Sequence, residues 1–317
     1  MNVRPSVLCP IDYSDASAGA LRYAAAIAEH FVTRLIVLNV EDPLLTAAMD
    51  FGAGVPWTPT TSEDEVAQFV SEVFAHDPAT LALCEYDVAI GKPSVEILRV
   101  SRERSCDLIV ISSHGLTGAR KFFFGSTTER VLRETTVPVL VTPSVNPGSV
   151  HIEDARRLIR RVVVPVDLSP ASRHQTQVAA GLAKALDLSV LLVHVIEPVK
   201  SRLLSRVHVT GLDANRRAVA EEGLEQLEAI LPREVRPEAL VSFGDPAEET
   251  AKIVRDRQAG LVVMGLHGSP VSGPRMGSVT YRMLCLSSTL VLALPPRSAR
   301  TSAPETAVAS TAPRAES

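Results

Sequence analysis

Short apolar runs alternate along this chain with segments whose apolar residues recur at the spacing of a helix. The first run, residues 7–11, ends at Asp12 and is typical of a strand that is buried on both faces of a parallel sheet. Ser14 is a suitable N-cap for the helix that Leu21, Ala24 and Ala28 predict. The alternation continues to residue 294 and predicts an α/β fold, with helices on both faces of a doubly wound parallel sheet.

The chain contains this pattern twice. Asp12 and Asp167 follow the first strand of each copy, 155 residues apart (167 − 12), and His114 and His267 are 153 residues apart (267 − 114). The predicted strands are 7–11, 35–40, 84–90, 108–111 and 137–142 in the first copy, and 162–166, 190–196, 261–264 and 289–294 in the second. The predicted helices include 63–75 and 127–134, and then 213–230 and 279–286.

The repeat predicts two tandem Rossmann-like domains. They are expected at residues 1–143 and 161–296, with a linker at 144–160. The loop at 41–61, which contains Trp57, is long enough to be a lid, a partner surface or a mobile segment. Residues 297–317 are rich in Ser, Ala, Thr and Pro without apolar periodicity, and we expect them to form a disordered tail.

Charge and composition argue against several classes of partner. A net charge of −4 and an isoelectric point near 6.1 lack the basic surplus that nucleic-acid binding requires. No apolar run reaches the ~20 residues of a membrane-spanning helix, and the N-terminus does not resemble a signal peptide. The four cysteines form no Cys-x-x-Cys pair. We therefore expect a cytoplasmic protein that binds no nucleic acid, no membrane and no metal cluster.

Each copy ends in a glycine-containing loop that leads into a helix. In the first copy Gly115 and Gly125 bound this loop, and Ser126 follows as a predicted N-cap. Ligands of an open parallel sheet collect beyond the carboxyl ends of its strands, where Asp12 and Val40 are also expected. Backbone N–H groups at the glycines and at the start of the helix favour an anion. The loop therefore predicts a phosphate site.

Taken together, these residues resemble the universal stress protein family over almost all of residues 1–143, and again over about 161–296. The ATP-binding loop of that family reads Gly, two residues, Gly, nine residues, Gly, then Ser or Thr. Here nine residues separate Gly115 from Gly125, and Ser112 stands where the first glycine belongs. The resemblance implies that Asp12 holds the ribose hydroxyls of ATP and that the backbone at Val40 holds the adenine. It also implies a phosphate site, with or without Mg²⁺, at Ser112, Gly115, Gly125, Ser126 and Thr127.

The second copy keeps the glycines and shortens the loop. Only eight residues separate Gly268 from Gly277, and Pro270 and Pro274 within them have no N–H to offer a phosphate. The matching second site would consist of Asp167, Val195, Gly265, Gly268, Gly277, Ser278 and Val279. We expect the first copy to be the main ATP site.

No pattern in the sequence indicates fast phosphoryl transfer. A Gly-Lys-Ser/Thr sequence is absent, as is a second acidic cluster for a metal or a general base, so no catalytic residue and no metal ligand is predicted. His114 and His267 are expected to shape their loops by hydrogen bonding. The resemblance implies an ATP-binding regulatory protein of the stress response. Two alternatives stay open: a nucleotide-free interaction or scaffold protein of the same fold, and a slow ATP hydrolase.

The resemblance also implies the strand order 3-2-1-4-5 in each domain. That order places the last strands, 137–142 and 289–294, at the sheet edges, and unpaired edges tend to associate. We expect the two copies to form a pseudo-dimer within one chain, and chains to associate further as a homodimer.

Overall fold

The computed structural model describes residues 5–43, 59–114, 125–144, 148, 150, 157, 159–198, 210–266 and 276–296. The strands are β1 (Ser6–Ile11), β2 (Arg34–Glu41), β3 (Cys84–Ile90), β4 (Leu108–Ser112), β5 (Val139–Thr142), β6 (Arg161–Pro165), β7 (Ser189–Ile196), β8 (Glu238–Phe243), β9 (Leu261–Gly265) and β10 (Leu290–Leu294). Trp57, Gly115, His267, Gly268, Pro270, Pro274 and residues 297–317 lie outside the described residues.

Helices separate the strands as the sequence predicts. They are α1 (Asp15–Phe31), α2 (Pro59–Val73), α3 (Pro78–Leu81), α4 (Pro93–Glu103), α5 (Ser126–Glu134), α6 (Pro170–Ala185), α7 (Thr210–Glu228), α8 (Pro246–Asp256) and α9 (Ser278–Leu286). Among the helices in the described ranges, none is long and apolar enough to cross a membrane.

The ten strands of the described ranges belong to one sheet. Their order is β3-β2-β1-β4-β5-β10-β9-β6-β7-β8, so each half has the expected order 3-2-1-4-5. Neighbours within each half are parallel, whereas β5 and β10 pair antiparallel, with Val141 opposite Val291 and Leu140 opposite Leu292. The last strands of the two copies thus pair with each other, which confirms the predicted pseudo-dimer within one chain.

The core lies in two layers, one on each face of the sheet. Successive residues of β1 point to opposite faces, and Leu8 and Cys9 accordingly belong to different buried clusters. One face packs against α1, α2, α6 and α7, and the other against α4, α5, α8 and α9. Because both faces are covered, the strands read as nearly continuous apolar runs.

Local hydrogen bonds set where the helices and strands begin. Ser14 caps α1 by accepting from the N–H of Ser17, as predicted. The prediction that Ser126 caps the next helix is wrong, because Gly125 is the N-cap and its carbonyl accepts from the N–H of Glu129 at 2.8 Å. Ser126 is instead the first residue of α5.

The last strand of each half begins later than the sequence predicts. Before β5, the hydroxyl of Thr135 donates to the carbonyl of Val137 and accepts from its N–H. This turn occupies both backbone groups of Val137, and the strand starts only at Val139. Ser287 and Thr289 form the same two hydrogen bonds before β10.

Candidate functional site

The carboxyl ends of three neighbouring strands form the edge of the first half at which the candidate residues meet. β1 lies between β2 and β4, and the strand order reverses between β1 and β4. Asp12 directly follows β1, Val40 lies near the end of β2, and Ser112 ends β4. Ligands of open α/β sheets bind at such an edge.

A tight turn fixes the carboxylate of Asp12. Its Oδ1 accepts hydrogen bonds from the N–H of Ser14, at 3.2 Å, and from the Ser14 hydroxyl. Tyr13, between them, has a φ of 61°, in the left-handed region. An ionised carboxylate only accepts hydrogen bonds, so one held in place beyond a strand is suited to bind hydroxyl groups.

A buried polar side chain beside Val40 supports this turn, and sequence reasoning missed it. The amide of Asn39 is buried in β2 and donates to the carbonyl of Ile11, the residue before Asp12, at 3.2 Å. His194 does the same in the second half, through Nδ1, 2.8 Å from the carbonyl oxygen of Val166. The signal was a polar residue near the end of an apolar strand in both copies.

Hydrogen bonds hold together the two ends of the first glycine loop. The N–H of Gly125 donates to the carbonyl of Ser113 at 3.0 Å, and the hydroxyl of Thr128 donates to the carbonyl of Ser112 at 2.9 Å. A Cβ at Gly125 would lie 3.3 Å from the carbonyl oxygen of Ser113, so this position favours glycine because of the close approach. Residues 115–124 between these ends, including Gly115, lie outside the described residues.

His114 makes contacts of the kind that the sequence predicts. Its Nδ1 lies 2.8 Å from the hydroxyl of Ser144 and 3.1 Å from that of Ser113. The Ser112 hydroxyl also donates to the carbonyl of His114 at 2.8 Å. These contacts tie the loop to the chain that follows β5, and they give His114 a loop-shaping role.

The second half repeats the turn at the aspartate. Oδ1 of Asp167 accepts from the N–H of Ser169 at 3.0 Å and from the Ser172 hydroxyl at 2.9 Å. Partial burial raises the pKa of Asp167, but these hydrogen bonds outweigh it and hold the pKa below its usual range.

The second glycine loop has the same hydrogen bonds at its ends. The N–H of Gly277 donates to the carbonyl of Leu266, and the Thr280 hydroxyl to that of Gly265, both at 2.8 Å. Ser278 is the first residue of α9, as Ser126 is of α5, and the next residue is Val279 where the first half has Thr127. Val195 lies in β7 beside His194. Gly268 is outside the described residues.

A cleft of about 670 Å³ lies between the beginning of α4 and the length of α5, and we call it the α4–α5 cleft. Ser126 and Thr127 line it from α5, and Lys92 and Ser94 line it from the start of α4. The first two N–H groups of α5 have no partner within the helix, so this end of the cleft offers hydrogen-bond donors to an anion. Within the described ranges, no group of three or more His, Cys, Asp or Glu could hold a metal ion.

Comparison with known proteins identifies relatives of both halves. The model of the universal stress protein family matches residues 4–143 and again 158–295. A universal stress protein of Mycolicibacterium smegmatis is 27% identical over 309 residues, which cover 92% of this chain and 97% of that protein. Universal stress protein YxiE of Bacillus subtilis is 30% identical over 145 residues, 43% of this chain and 96% of its own.

A solved structure has the same fold along nearly the whole chain. It is the crystal structure of a universal stress protein from Archaeoglobus fulgidus, with a TM-score of 0.61 at 21% identity. The likeness covers 92% of this chain and 98% of that chain.

Proposed function

Since this chain belongs to the universal stress protein family, we propose that it is a cytoplasmic ATP-binding regulatory protein of the stress response and holds the nucleotide mainly in its first half. One observation carries the proposal. The sheet brings Asp12, which follows β1, and Ser112, which ends β4, to one edge at the point where the strand order reverses.

Each part of the nucleotide has a matching group in this proposal. Asp12 accepts hydrogen bonds from the ribose hydroxyls, and the backbone at Val40 receives the adenine. Ser112, Gly115, Gly125, Ser126 and Thr127 hold the phosphates. The hydroxyls and N–H groups at the start of α5 fit an anion, and Mg²⁺ bound to the phosphates would reduce their charge.

The second half carries a weaker site in the same proposal. Asp167, Val195, Gly265, Gly268, Gly277 and Ser278 correspond to the first set, but Val279 offers no hydroxyl where the first half has Thr127. Removal of a hydrogen-bond donor from a polar ligand site lowers affinity because the phosphate oxygen loses a partner.

The test measures nucleotide binding to the full chain and to two matched variants. Asp12→Asn keeps an oxygen for Ser14 and loses the charge, and Asp167→Asn does the same in the second half. We expect isothermal titration to show ATP affinity at least about tenfold lower in Asp12→Asn, equal to about 1.4 kcal/mol, and nearly unchanged in Asp167→Asn. The reverse pattern would place the main site in the second half.

Native mass spectrometry separates the remaining functions. ATP bound to the purified chain and still intact after hours supports a regulatory binding protein. Conversion to ADP on the protein would favour the slow hydrolase. A chain with no bound nucleotide and no thermal shift at saturating ATP would favour the nucleotide-free scaffold, since ligand at 100 times its Kd raises stability by about 2.7 kcal/mol.

A further inference from the structure

Among the described residues, one positive charge that lines the α4–α5 cleft has no ion-pair partner. Arg133 pairs with Glu129 at 2.6 Å, and Arg130 with Glu134 at 3.8 Å, so each arginine that lines the cleft has its own carboxylate. Lys92 also lines the cleft and is exposed, and within the described part of the chain its ammonium group forms no salt bridge. Lys92 is the N-cap of α4, yet it makes no side-chain cap hydrogen bond.

The second half has the opposite charge at the equivalent place. Asp245, 153 residues after Lys92 (245 − 92), caps α8 by accepting from the N–H groups of Ala247 and Glu248, both at 3.1 Å. Desolvation raises the pKa of Asp245, but the cap hydrogen bonds and Arg282 outweigh this effect and hold the pKa below its usual range. This carboxylate is therefore ionised at neutral pH.

In the second half, an arginine of α9 reaches the beginning of α8. Arg282, the counterpart of Arg130, donates to Oδ2 of Asp245 and, at 2.8 Å, to Oε1 of Glu248. The two carboxylates and one guanidinium leave a net charge of −1 there. In the first half, Lys92 in place of Asp245 leaves the three cations and two carboxylates of the cleft lining with a net charge of +1.

The charged cleft of the first half adjoins the residues proposed to bind phosphate. Ser126 and Thr127 line the same cleft as Lys92. In the proposed site, phosphate groups beyond the first would extend from these two residues toward Lys92. The ammonium group of Lys92 is not engaged in a cap hydrogen bond. A strongly hydrated lysine on a flexible stem suits a terminal phosphate, which offers several oxygens in no fixed direction.

We propose that Lys92 makes the first half select nucleotides with more than one phosphate, and that Asp245 makes the second half reject them. The inference rests on the proposed function, because it assigns the terminal phosphates of the same nucleotide to the α4–α5 cleft. Lys92 is thus a specificity-determining residue, and the two halves differ in the class of nucleotide that they accept.

The test compares ATP, ADP and AMP by isothermal titration of the full chain at one ionic strength. Lys92→Asp installs the residue that the second half uses, and Lys252→Ala removes an exposed cation from α8 as the control. We expect Lys92→Asp to weaken ATP binding by about tenfold or more, the scale of one charge-assisted contact, and to change AMP binding by less than about twofold. Lys252→Ala should leave both unchanged.

The melting temperature shows whether Lys92→Asp folds. Because aspartate can cap α4 as Asp245 caps α8, we expect this variant to melt no lower than the parent chain. If the parent chain binds neither ATP nor AMP, the proposed function fails. If the parent chain binds nucleotide, but Lys92→Asp weakens the binding of ATP and AMP equally or changes neither affinity, the proposed function stands and the role of Lys92 is overturned.

Discussion

In each half, the residue that follows the site aspartate adopts a backbone conformation that its side chain disfavours. Tyr13 and Leu168, each between the site aspartate and the capping serine, both have a φ of 61°. The left-handed region costs a non-glycine residue roughly 1–2 kcal/mol. Such strain persists where the surroundings hold it in place and tends to occur at functional sites. The same turn occurs in both halves, although Tyr13 and Leu168 differ in chemistry.

The Tyr13 hydroxyl reports on how that turn is packed. Tyr13 makes an edge-on contact with Phe69, with ring centroids 5.3 Å apart. Burial, and then the nearby charges of Glu65 and Glu41, raise the pKa of Tyr13 to about 12. The pKa of an unfolded tyrosine is about 10, so above that pH the unfolded chain loses its proton first. The contribution of Tyr13 to stability is therefore complete below about pH 10 and is lost between about pH 10 and 12.

Alkaline titration of tyrosinate absorbance checks this value. The difference between the parent chain and Tyr13→Phe should titrate near pH 12, and melting temperatures between about pH 10 and 12 should fall less steeply in the variant. An absorbance difference that titrates near pH 10 would show that Tyr13 is not held against Phe69.

At the scale of the element, two glycines differ in whether a side chain at their position would stabilise the protein. Gly244, between β8 and α8, has a φ of 143°, and a Cβ there would lie 2.7 Å from Cγ of Glu249. Gly181 lies inside α6, is exposed, and has open space around its missing side chain. The two positions should therefore respond in opposite directions to the same substitution.

We expect Gly244→Ala to lower the free energy of unfolding by about 1 kcal/mol or more, because alanine strains at this φ. Gly181→Ala should raise it by about 0.5–1 kcal/mol, because alanine loses less conformational entropy in a helix. Urea unfolding of both variants measures the two changes. Equal effects of the same sign would contradict the conformation at Gly244.

Sequence patterns predict elements well where the cause is local. Ser14 caps α1 and Asp245 caps α8 with serine and aspartate side chains that accept from nearby N–H groups, so their own sequence suffices. The sequence predicts Ser126 as the cap of α5, but the N-cap is Gly125, which has no side chain to signal that role. Its carbonyl hydrogen bond with the N–H of Glu129 identifies it.

Contacts between segments that are distant along the chain cannot be predicted from sequence patterns. The hydrogen bond from Asn39 to the carbonyl of Ile11 joins two strands, and the ion pairs of Arg282 join two helices. Neither produces a periodic pattern along the chain. The contrast between Lys92 and Asp245 is visible in the sequence, but its meaning depends on which groups surround each residue in the fold.

At the scale of the whole molecule, the antiparallel pairing of β5 with β10 joins two sheets into one. Without it, each half would expose an apolar strand edge. The first half alone, residues 1–148, should therefore associate as a dimer through β5. Addition of the second half should replace that dimer with a complex of one first half and one second half, paired through β5 and β10. Light scattering at two concentrations measures both masses. A first half that stays monomeric at high concentration would contradict the pairing as a source of stability.

In the full chain the same edge is already covered. The outermost strands are β3 and β8, and both carry charged residues: Glu85 of β3 pairs with Arg34 of β2, and Glu238 of β8 pairs with Arg161 of β6. Paired charges make an edge strand a poor template for further association. The homodimer of full chains that the sequence predicts would therefore need another surface, and light scattering of the full chain at two concentrations measures whether it forms.

The direction of the strands at the centre of the sheet separates the two sites in space. Because β5 and β10 run in opposite directions, the strands of one half end where those of the other begin. Two nucleotides would therefore enter from opposite sides and could not compete for room. The shared sheet would then connect the two occupants, with β5 and β10 between them.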